Sequence, residues 1–366
     1  MEPEEVLSSG GVCRVEVDGE YAALLPEESE FEVRCSEREG RFMATSVDMP
    51  HQHHFLIEKP LIAWPLVGEL CVGTSSWCEL CFCGLEDVEQ EDSVESSSAG
   101  RRVRRRLREH GTDALNRCAD CLTTTSDSQV FFSQEVLSDW RQWQKEKSAE
   151  SCVGLEAFGR CLAQVVGCAA RLVARNPGTE ADSALQAALT PFARFVQPPD
   201  GSSVTLKGTD ATEVVAKLQS TTSFMESLVT AVGSACVDQL LSADLINSLA
   251  GALVLNTVGL EVPQRCGESL RVAGLFVLLS TMNHSCMPTA EAVCTSSVET
   301  SLWTTRSVES GKALTLTYVP PEWALHERRE RLRHWFFECD CLKCAEESAI
   351  VKALGDGDSE EEAKVL

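Results

Sequence analysis

The sequence predicts an α+β fold, in which two strand-rich regions flank a long helical segment. Residues 31–65 and 270–318 contain short alternating or continuous apolar runs, which are typical of strands. Residues 151–260 have apolar residues at helical spacing, and they break at 197–201, where two prolines and a glycine fall together. A cluster of cysteines follows the second strand-rich region.

Composition narrows the class of protein. The 366 residues are enough for one to three domains with a sizeable core. No run of about 18 uninterrupted apolar residues occurs, so we expect no membrane span. The first residues are acidic and lack the basic and apolar parts of a secretory signal. We therefore expect a cytoplasmic and/or nuclear protein whose 18 cysteines are metal ligands and buried thiols.

The charge distribution bears on partners. A net charge of −24 disfavours direct nucleic-acid binding and would attract a lysine-rich protein, although it also serves simple solubility. An isolated basic stretch, Arg101–Arg108, interrupts this acidity. It is consistent with a nuclear import signal or a nucleic-acid patch, and equally with one exposed face of a helix.

The C-terminal cysteines indicate a zinc site. Cys339, Cys341 and Cys344 supply three thiolates within six residues. Structural zinc takes four ligands in a tetrahedron, and Cys286 is the candidate for the fourth. The alternative is a set of buried cysteines without metal.

A second group of cysteines has metal-binding spacing in the middle of the chain. It consists of two Cys-x2-Cys pairs, Cys78 with Cys81 and Cys118 with Cys121. This pattern is sufficient for one zinc ion. A degenerate module without metal is the alternative.

Three sequence blocks carry a resemblance to a known family. They are Ala273–Glu291, which contains Asn-His-Ser-Cys, then Gly311–Tyr318, and then Phe336–Cys344. Together they resemble the SET-and-MYND (SMYD) family of protein-lysine methyltransferases. The resemblance is strongest to its short fifth member, which lacks the C-terminal helical-repeat domain.

The resemblance implies a SET-domain β-fold of short sheets. The C-terminal segment would thread beneath the Asn-His loop as a pseudoknot, and a zinc-binding post-SET segment would follow. A degenerate MYND-like module and a helical insert would interrupt this fold. The implied division is 1–30 (extension), 31–75 (first SET part), 76–148 (MYND-like module), 149–260 (helical linker and insert), 261–335 (SET core), 336–347 (post-SET zinc segment) and 348–366 (disordered acidic tail).

It also implies an activity, namely transfer of a methyl group from S-adenosylmethionine to a lysine of a basic protein, such as a histone or a ribosomal protein. Tyr318 would be the catalytic residue that orients the amine. The implied cofactor-binding residues are Gly40, Arg41, Asn256, Asn283, His284 and Phe337. Arg41 stands where the family has a second glycine, and a side chain there would crowd the cofactor. The alternative is therefore a decayed active site that serves as a zinc-stabilised protein-binding adaptor.

Overall fold

The computed structural model describes residues 15–66, 131–147, 153–200, 210–264 and 269–361, together with Cys78, Phe82, Ser202, Val204 and Leu206. In the last helix, side chains are described as far as Ala353. The second cysteine group lies outside these residues except for Cys78, and so does the basic stretch 101–108.

In the part of the chain that the structure describes, short strands form three antiparallel sheets of three strands each. The first has the order β1 (Val15–Val17), β2 (Phe31–Ser36), β3 (Gly40–Thr45). The second has the order β4 (His54–Glu58), β9 (Thr300–Thr304), β8 (Ala290–Cys294). The third has the order β5 (Ile62–Pro65), β7 (Ser269–Leu275), β6 (Thr257–Pro263). Strands from the two ends of the chain thus pair with each other, and the α+β prediction is confirmed.

Along the chain, most of the helices lie between β5 and β6. They are α1 (Gly19–Ala22), α2 (Gln134–Lys147), α3 (Leu155–Arg175), α4 (Ala181–Ala193), α5 (Ala211–Ser220), α6 (Thr222–Val232), α7 (Ser234–Leu240), α8 (Ala243–Asn256), α9 (Leu325–Leu332) and α10 (Leu342–Glu361). Single turns of 3-10 helix occur at Leu279–Thr281 and Arg333–Trp335. Local caps fix some boundaries: the Asp210 carboxylate accepts from the Glu213 N–H at 2.8 Å, and Ser242 caps α8 in the same way.

Helix α3 is the centre of the helical core. Its apolar residues are buried from Leu155 to Ala169, and Gly159 faces the Trp140 ring so closely that a Cβ there would come within 2.1 Å of a ring carbon. Among the described helices, α3 is the one long and apolar enough to cross a membrane by length and composition. Its burial among the other helices is that of a core helix, and it carries a buried carboxylate, Glu156, paired with Arg141 and Arg160.

Three sequence predictions need correction. Ala313–Tyr318 was expected to be a strand, but Leu316 makes only an isolated parallel bridge to His284. The reason is that neighbouring residues pair with different partners: Leu314 bonds Met43, whereas Leu316 bonds the Asn283 carbonyl. The predicted threading of this segment stays a prediction.

The other two corrections concern boundaries. The helical segment ends at Asn256, and residues 257–260 belong to β6. Residues 348–361, predicted as a disordered tail, continue α10 as helix. Side chains of the preceding helix anchor its start, because Arg328 pairs with Glu347 at 2.7 Å and Arg329 donates to Ser348 at 2.8 Å.

Candidate zinc centre and active site

Four cysteines predicted as zinc ligands lie together. The sulfur atoms of Cys286, Cys339, Cys341 and Cys344 all lie within 4.8 Å of one another. A tetrahedral ion with bonds of about 2.3 Å separates its sulfur ligands by about 3.8 Å, so the cluster fits zinc. Cys286 comes from the loop after the 3-10 turn at Leu279–Thr281, whereas the other three lie just before and within the first turn of α10. The donor set therefore joins two segments that are distant in sequence.

The environment of Cys341 favours a thiolate. Burial raises the pKa of this thiol, but the backbone N–H groups of Cys344 and Cys286 donate to its sulfur, and the pKa falls to about 7. Burial and the neighbouring Cys344 raise the pKa of Cys286 to about 11. Deprotonation of the full set therefore requires a positive charge to offset it, which a zinc ion supplies.

Side chains outside the ligand set contact two of the sulfurs. His284 Nε2 lies 3.3 Å from Cys286 Sγ. Arg328 Nη2 lies 3.5 Å from Cys344 Sγ. Both contacts place hydrogen-bond donors against sulfur atoms, which would stabilise the thiolate form that a zinc ion binds.

His284 also contacts the predicted catalytic residue. The backbone N–H of Tyr318 donates to His284 Nδ1 at 3.0 Å, and the two rings lie 5.3 Å apart. Because Nδ1 accepts, the imidazole proton is assigned to Nε2, which faces Cys286. Burial, together with the nearby Arg328 charge, lowers the pKa of His284 to about 4. The ring is therefore neutral at physiological pH.

The Tyr318 phenol is held in a defined position. Its hydroxyl donates to the Met282 carbonyl at 2.7 Å, and its ring lies 5.4 Å from Trp335 and 6.4 Å from Phe337. Burial raises the pKa of Tyr318, so the hydroxyl stays protonated across the physiological range. Since the hydroxyl donates its hydrogen bond to the Met282 carbonyl, the lone pairs of the phenol oxygen remain available to accept a hydrogen bond from a ligand.

Tyr318 forms part of the wall of a cavity of about 510 Å³. Met282, Leu316 and Trp335 are among its apolar lining residues, and its charged lining residues are Glu261 and Arg271, which are paired across β6 and β7. The Trp335 indole N–H is taken by the Leu255 carbonyl at 3.1 Å, so this large ring presents an apolar face. The cavity therefore has a mixed lining of apolar and polar side chains, and it lies beside the loop that carries Asn283 and His284.

The predicted cofactor turn lies next to that loop. Asn283 donates from its side-chain amide to the Glu39 carbonyl at 2.9 Å. The adjoining Gly40 has φ +62, a conformation that favours glycine, and no atom lies within 4 Å of where its Cβ would be. The structure therefore brings Gly40 and Asn283 together, with open space at the turn.

Arg41 follows Gly40, and its side chain makes structural contacts. Its guanidinium pairs with Asp18 at 3.2 Å, donates to the Tyr21 hydroxyl at 3.1 Å and also donates to the Arg194 carbonyl. Arg194 is the C-cap of α4, so Arg41 ties the turn to the end of an insert helix. These partners account for the side chain that sequence reasoning expected to crowd the cofactor.

Asn256 and Phe337 are placed differently. Asn256 lines the cavity, but its amide is fully engaged by the backbone of Val196 and the Ala252 carbonyl. Phe337 lies 6.0 Å from the His284 ring, on the side of the zinc centre. Their roles at a cofactor stay predictions. Cys78 is buried, but its predicted partners Cys81, Cys118 and Cys121 lie outside the described residues, so a second zinc site also stays a prediction.

Sequence reasoning missed a carboxylate that shapes the Asn-His loop. Glu58 accepts the N–H groups of Val277, Leu278 and Leu279, each at 2.8 Å. These donors would otherwise be unpaired where β7 passes into the 3-10 turn. The one available signal was an acidic residue at the end of a predicted strand. Arg328 was also missed, because its helix contains several arginines that look alike in sequence.

Comparison with known proteins supports the resemblance over the SET region. No family model matches the chain. The chain is 33% identical over 78 residues to histone-lysine N-methyltransferase SET5 of Meyerozyma guilliermondii, which covers 20% of this chain and 16% of that protein. It is 38% identical over 80 residues to SET5 of Scheffersomyces stipitis, covering 21% and 16%. It is 38% identical over 72 residues to histone-lysine N-methyltransferase SMYD3 of Mus musculus, covering 19% and 17%.

The chain therefore spans only about a sixth of the length of these curated relatives, at 16% to 17%. Within that span the similarity is to SET-type histone-lysine methyltransferases, and the predicted resemblance is confirmed there.

Proposed function

We propose that this protein is an S-adenosylmethionine-dependent protein-lysine N-methyltransferase, which methylates the ε-amine of a lysine in a basic protein such as a histone or a ribosomal protein. The observation that carries the proposal is the position of Tyr318. Its protonated phenol lies in the wall of the cavity and donates to the Met282 carbonyl, while its backbone N–H donates to His284, which contacts the zinc-fitting cysteines. The names of the SET5 and SMYD3 relatives support the reaction class.

The reaction requires a neutral amine in line with the methyl group. A free lysine has a pKa of roughly 10.4, and an apolar cavity lowers it by disfavouring the ammonium form. The side chains of Met282, Leu316 and Trp335 provide an apolar surface for the lysine side chain in the same cavity as Tyr318. Because the Tyr318 O–H donates its hydrogen bond to the Met282 carbonyl, the phenol oxygen can accept an N–H of the amine and orient its lone pair.

The residues around the Asn283 loop fit the cofactor. When bound, S-adenosylmethionine supplies a methyl group on a positively charged sulfur. The open turn at Gly40, the adjoining Asn283 and His284, and the Phe337 ring are the groups that would hold it. Because the Arg41 guanidinium is engaged by Asp18, Tyr21 and Arg194, this turn is free to approach a ligand.

Charge favours a basic protein substrate. The chain carries a net charge of −24, which attracts a lysine-rich partner. The same charge disfavours direct nucleic-acid binding. Location in the cytoplasm, the nucleus or both is part of the proposal, because it is where such substrates are found and where the thiols stay reduced.

Two measurements test the function. Titration calorimetry should detect S-adenosylmethionine binding to the purified protein, and transfer of labelled methyl groups into a fractionated proteome should identify lysine-modified bands. Tyr318→Phe should retain cofactor binding and lose most of the transfer. Absence of binding at millimolar cofactor would contradict the proposal and favour the adaptor function.

A further inference from the structure

Arg328 is buried to a degree unusual for an arginine. It lies on α9 with 1% of its surface exposed, and its guanidinium contacts Cys344 in the first turn of α10. A guanidinium cannot lose its charge in a protein, so burial requires that its charge be offset by nearby groups. The groups that face it are therefore informative about the state of the cluster.

This guanidinium has three hydrogen-bond partners. Its Nη2 lies 3.5 Å from Cys344 Sγ and 2.7 Å from the Glu347 carboxylate, while Nη1 donates to the Trp323 carbonyl. Cys286 is near enough to interact electrostatically with Arg328 as well. One carboxylate and two sulfurs thus surround a single positive charge.

The charge balance of a bound zinc ion explains this arrangement. Four thiolates and one zinc ion leave two negative charges in excess inside the protein. His284 Nδ1 accepts the Tyr318 backbone N–H, so its Nε2, 3.3 Å from Cys286 Sγ, donates from an uncharged ring, and Arg328 is the cation in contact with the cluster among the described residues. We propose that Arg328, through Cys344, offsets one of the two excess negative charges of the tetrathiolate zinc centre, as a positioning and charge-balancing residue whose partner Glu347 fixes the guanidinium. This inference requires the zinc ion but not methyl transfer.

The neighbouring Arg329 supplies a matched control. It lies on the same helix, but it bonds the Ser348 hydroxyl at 2.8 Å and pairs with Glu338 at 3.1 Å. No sulfur contact is found for it among the described contacts. Replacing either arginine by glutamine removes one charge from α9, and only the change at position 328 removes it from the sulfurs.

Zinc affinity is the first measurement. Competition with a chelating dye measures zinc affinity for the full-chain wild type and for the variants Arg328→Gln, Arg328→Lys and Arg329→Gln. A further variant, Cys286→Ala, identifies which bound zinc belongs to this cluster, because that zinc is the one it loses. Arg328→Gln should bind zinc about 10- to 100-fold more weakly, the range seen when groups that support metal ligands are removed. Arg328→Lys keeps the charge and should recover part of the loss, and Arg329→Gln should match the wild type.

Cobalt substitution gives a second readout that packing alone would not move. A positive charge beside a thiolate stabilises its electrons, so its removal should shift the sulfur-to-cobalt charge-transfer band to longer wavelength in Arg328→Gln. Equal affinity and an equal band in Arg328→Gln and Arg329→Gln would overturn the proposal. If the glutamine variant does not fold, a lysine variant with wild-type band energy and zinc affinity supports the charge role, whereas a lysine variant as impaired as Cys286→Ala overturns it.

Discussion

The backbone N–H of Tyr318 donates to Nδ1 of His284 at 3.0 Å, and the opposite nitrogen of the same ring lies 3.3 Å from Cys286 Sγ. One imidazole thus links the zinc-fitting cluster to the backbone of Tyr318, the proposed catalytic residue. The position of Tyr318 therefore depends on the geometry of the cluster, so metal loss should affect the active site even though the metal has no chemical role there.

Removal of the Tyr318 hydroxyl should abolish most of the activity. Tyr318→Phe is expected to lower the rate of methyl transfer by about 100-fold, because the amine loses the group that orients it. Tyr21→Phe is the matched control, since Tyr21 is the other of two tyrosines and contacts Arg41 and Arg194 instead. Single-turnover methylation with labelled cofactor measures the rate, and an unchanged rate in Tyr318→Phe would reject its assigned role.

Loss of one ligand should release one zinc ion. Cys286→Ser is expected to reduce the metal content by one and to lower the free energy of unfolding by several kcal/mol, because structural zinc contributes folding energy directly. Cys294→Ser is the control, because Cys294 is also buried but contacts Thr300 at 3.4 Å. Elemental analysis and urea unfolding check the prediction. Equal zinc content in both variants would show that this cluster holds no metal.

Glu58 should stabilise the Asn-His loop. In Glu58→Gln, the amide NH2 would face one of three backbone N–H donors, so the free energy of unfolding should fall by about 1–3 kcal/mol. Glu291→Gln, at an exposed position of β8, should change it little.

The Glu58 effect should also depend on pH. Burial raises the pKa of Glu58, although the three N–H groups of 277–279 oppose the shift. A raised folded-state pKa gives a stability contribution that is full below the unfolded value and is lost as pH rises through the folded value. The deficit of Glu58→Gln relative to the wild type should therefore shrink as the pH rises above the unfolded-state pKa of about 4.3. Urea unfolding across that range would contradict the assignment if the deficit grew.

Arg41 and Tyr21 should act as one unit. Both donate to the Arg194 carbonyl and bond each other at 3.1 Å. Arg41→Ala should lower the free energy of unfolding by about 1–3 kcal/mol, and the double variant with Tyr21→Phe should show a coupling energy of about 0.5–3 kcal/mol. Cofactor affinity should be changed less than stability, because the guanidinium is directed at α4. A large gain in affinity in Arg41→Ala would instead show that Arg41 crowds the cofactor.

The sequence by itself determined the fold class and picked out the C-terminal cysteines that the structure brings together. Strand alternation and helical periodicity are local patterns, and the close spacing of Cys339, Cys341 and Cys344 is itself typical of metal ligands. The missing fourth ligand pointed to Cys286, the resemblance pointed to Tyr318, and the structure links the two through His284.

Only the tertiary structure decided which side chains support that centre. Arg328 is one of several arginines on its helix, and Glu58 is one of many acidic residues; what distinguishes them is the group each one meets from a distant part of the chain. Arg41 shows the same limit, because the orientation of its side chain depends on the Arg194 carbonyl at the end of α4, 153 positions away in the chain. Contacts of this kind arise from the packing of sheets and helices, and no local pattern encodes them.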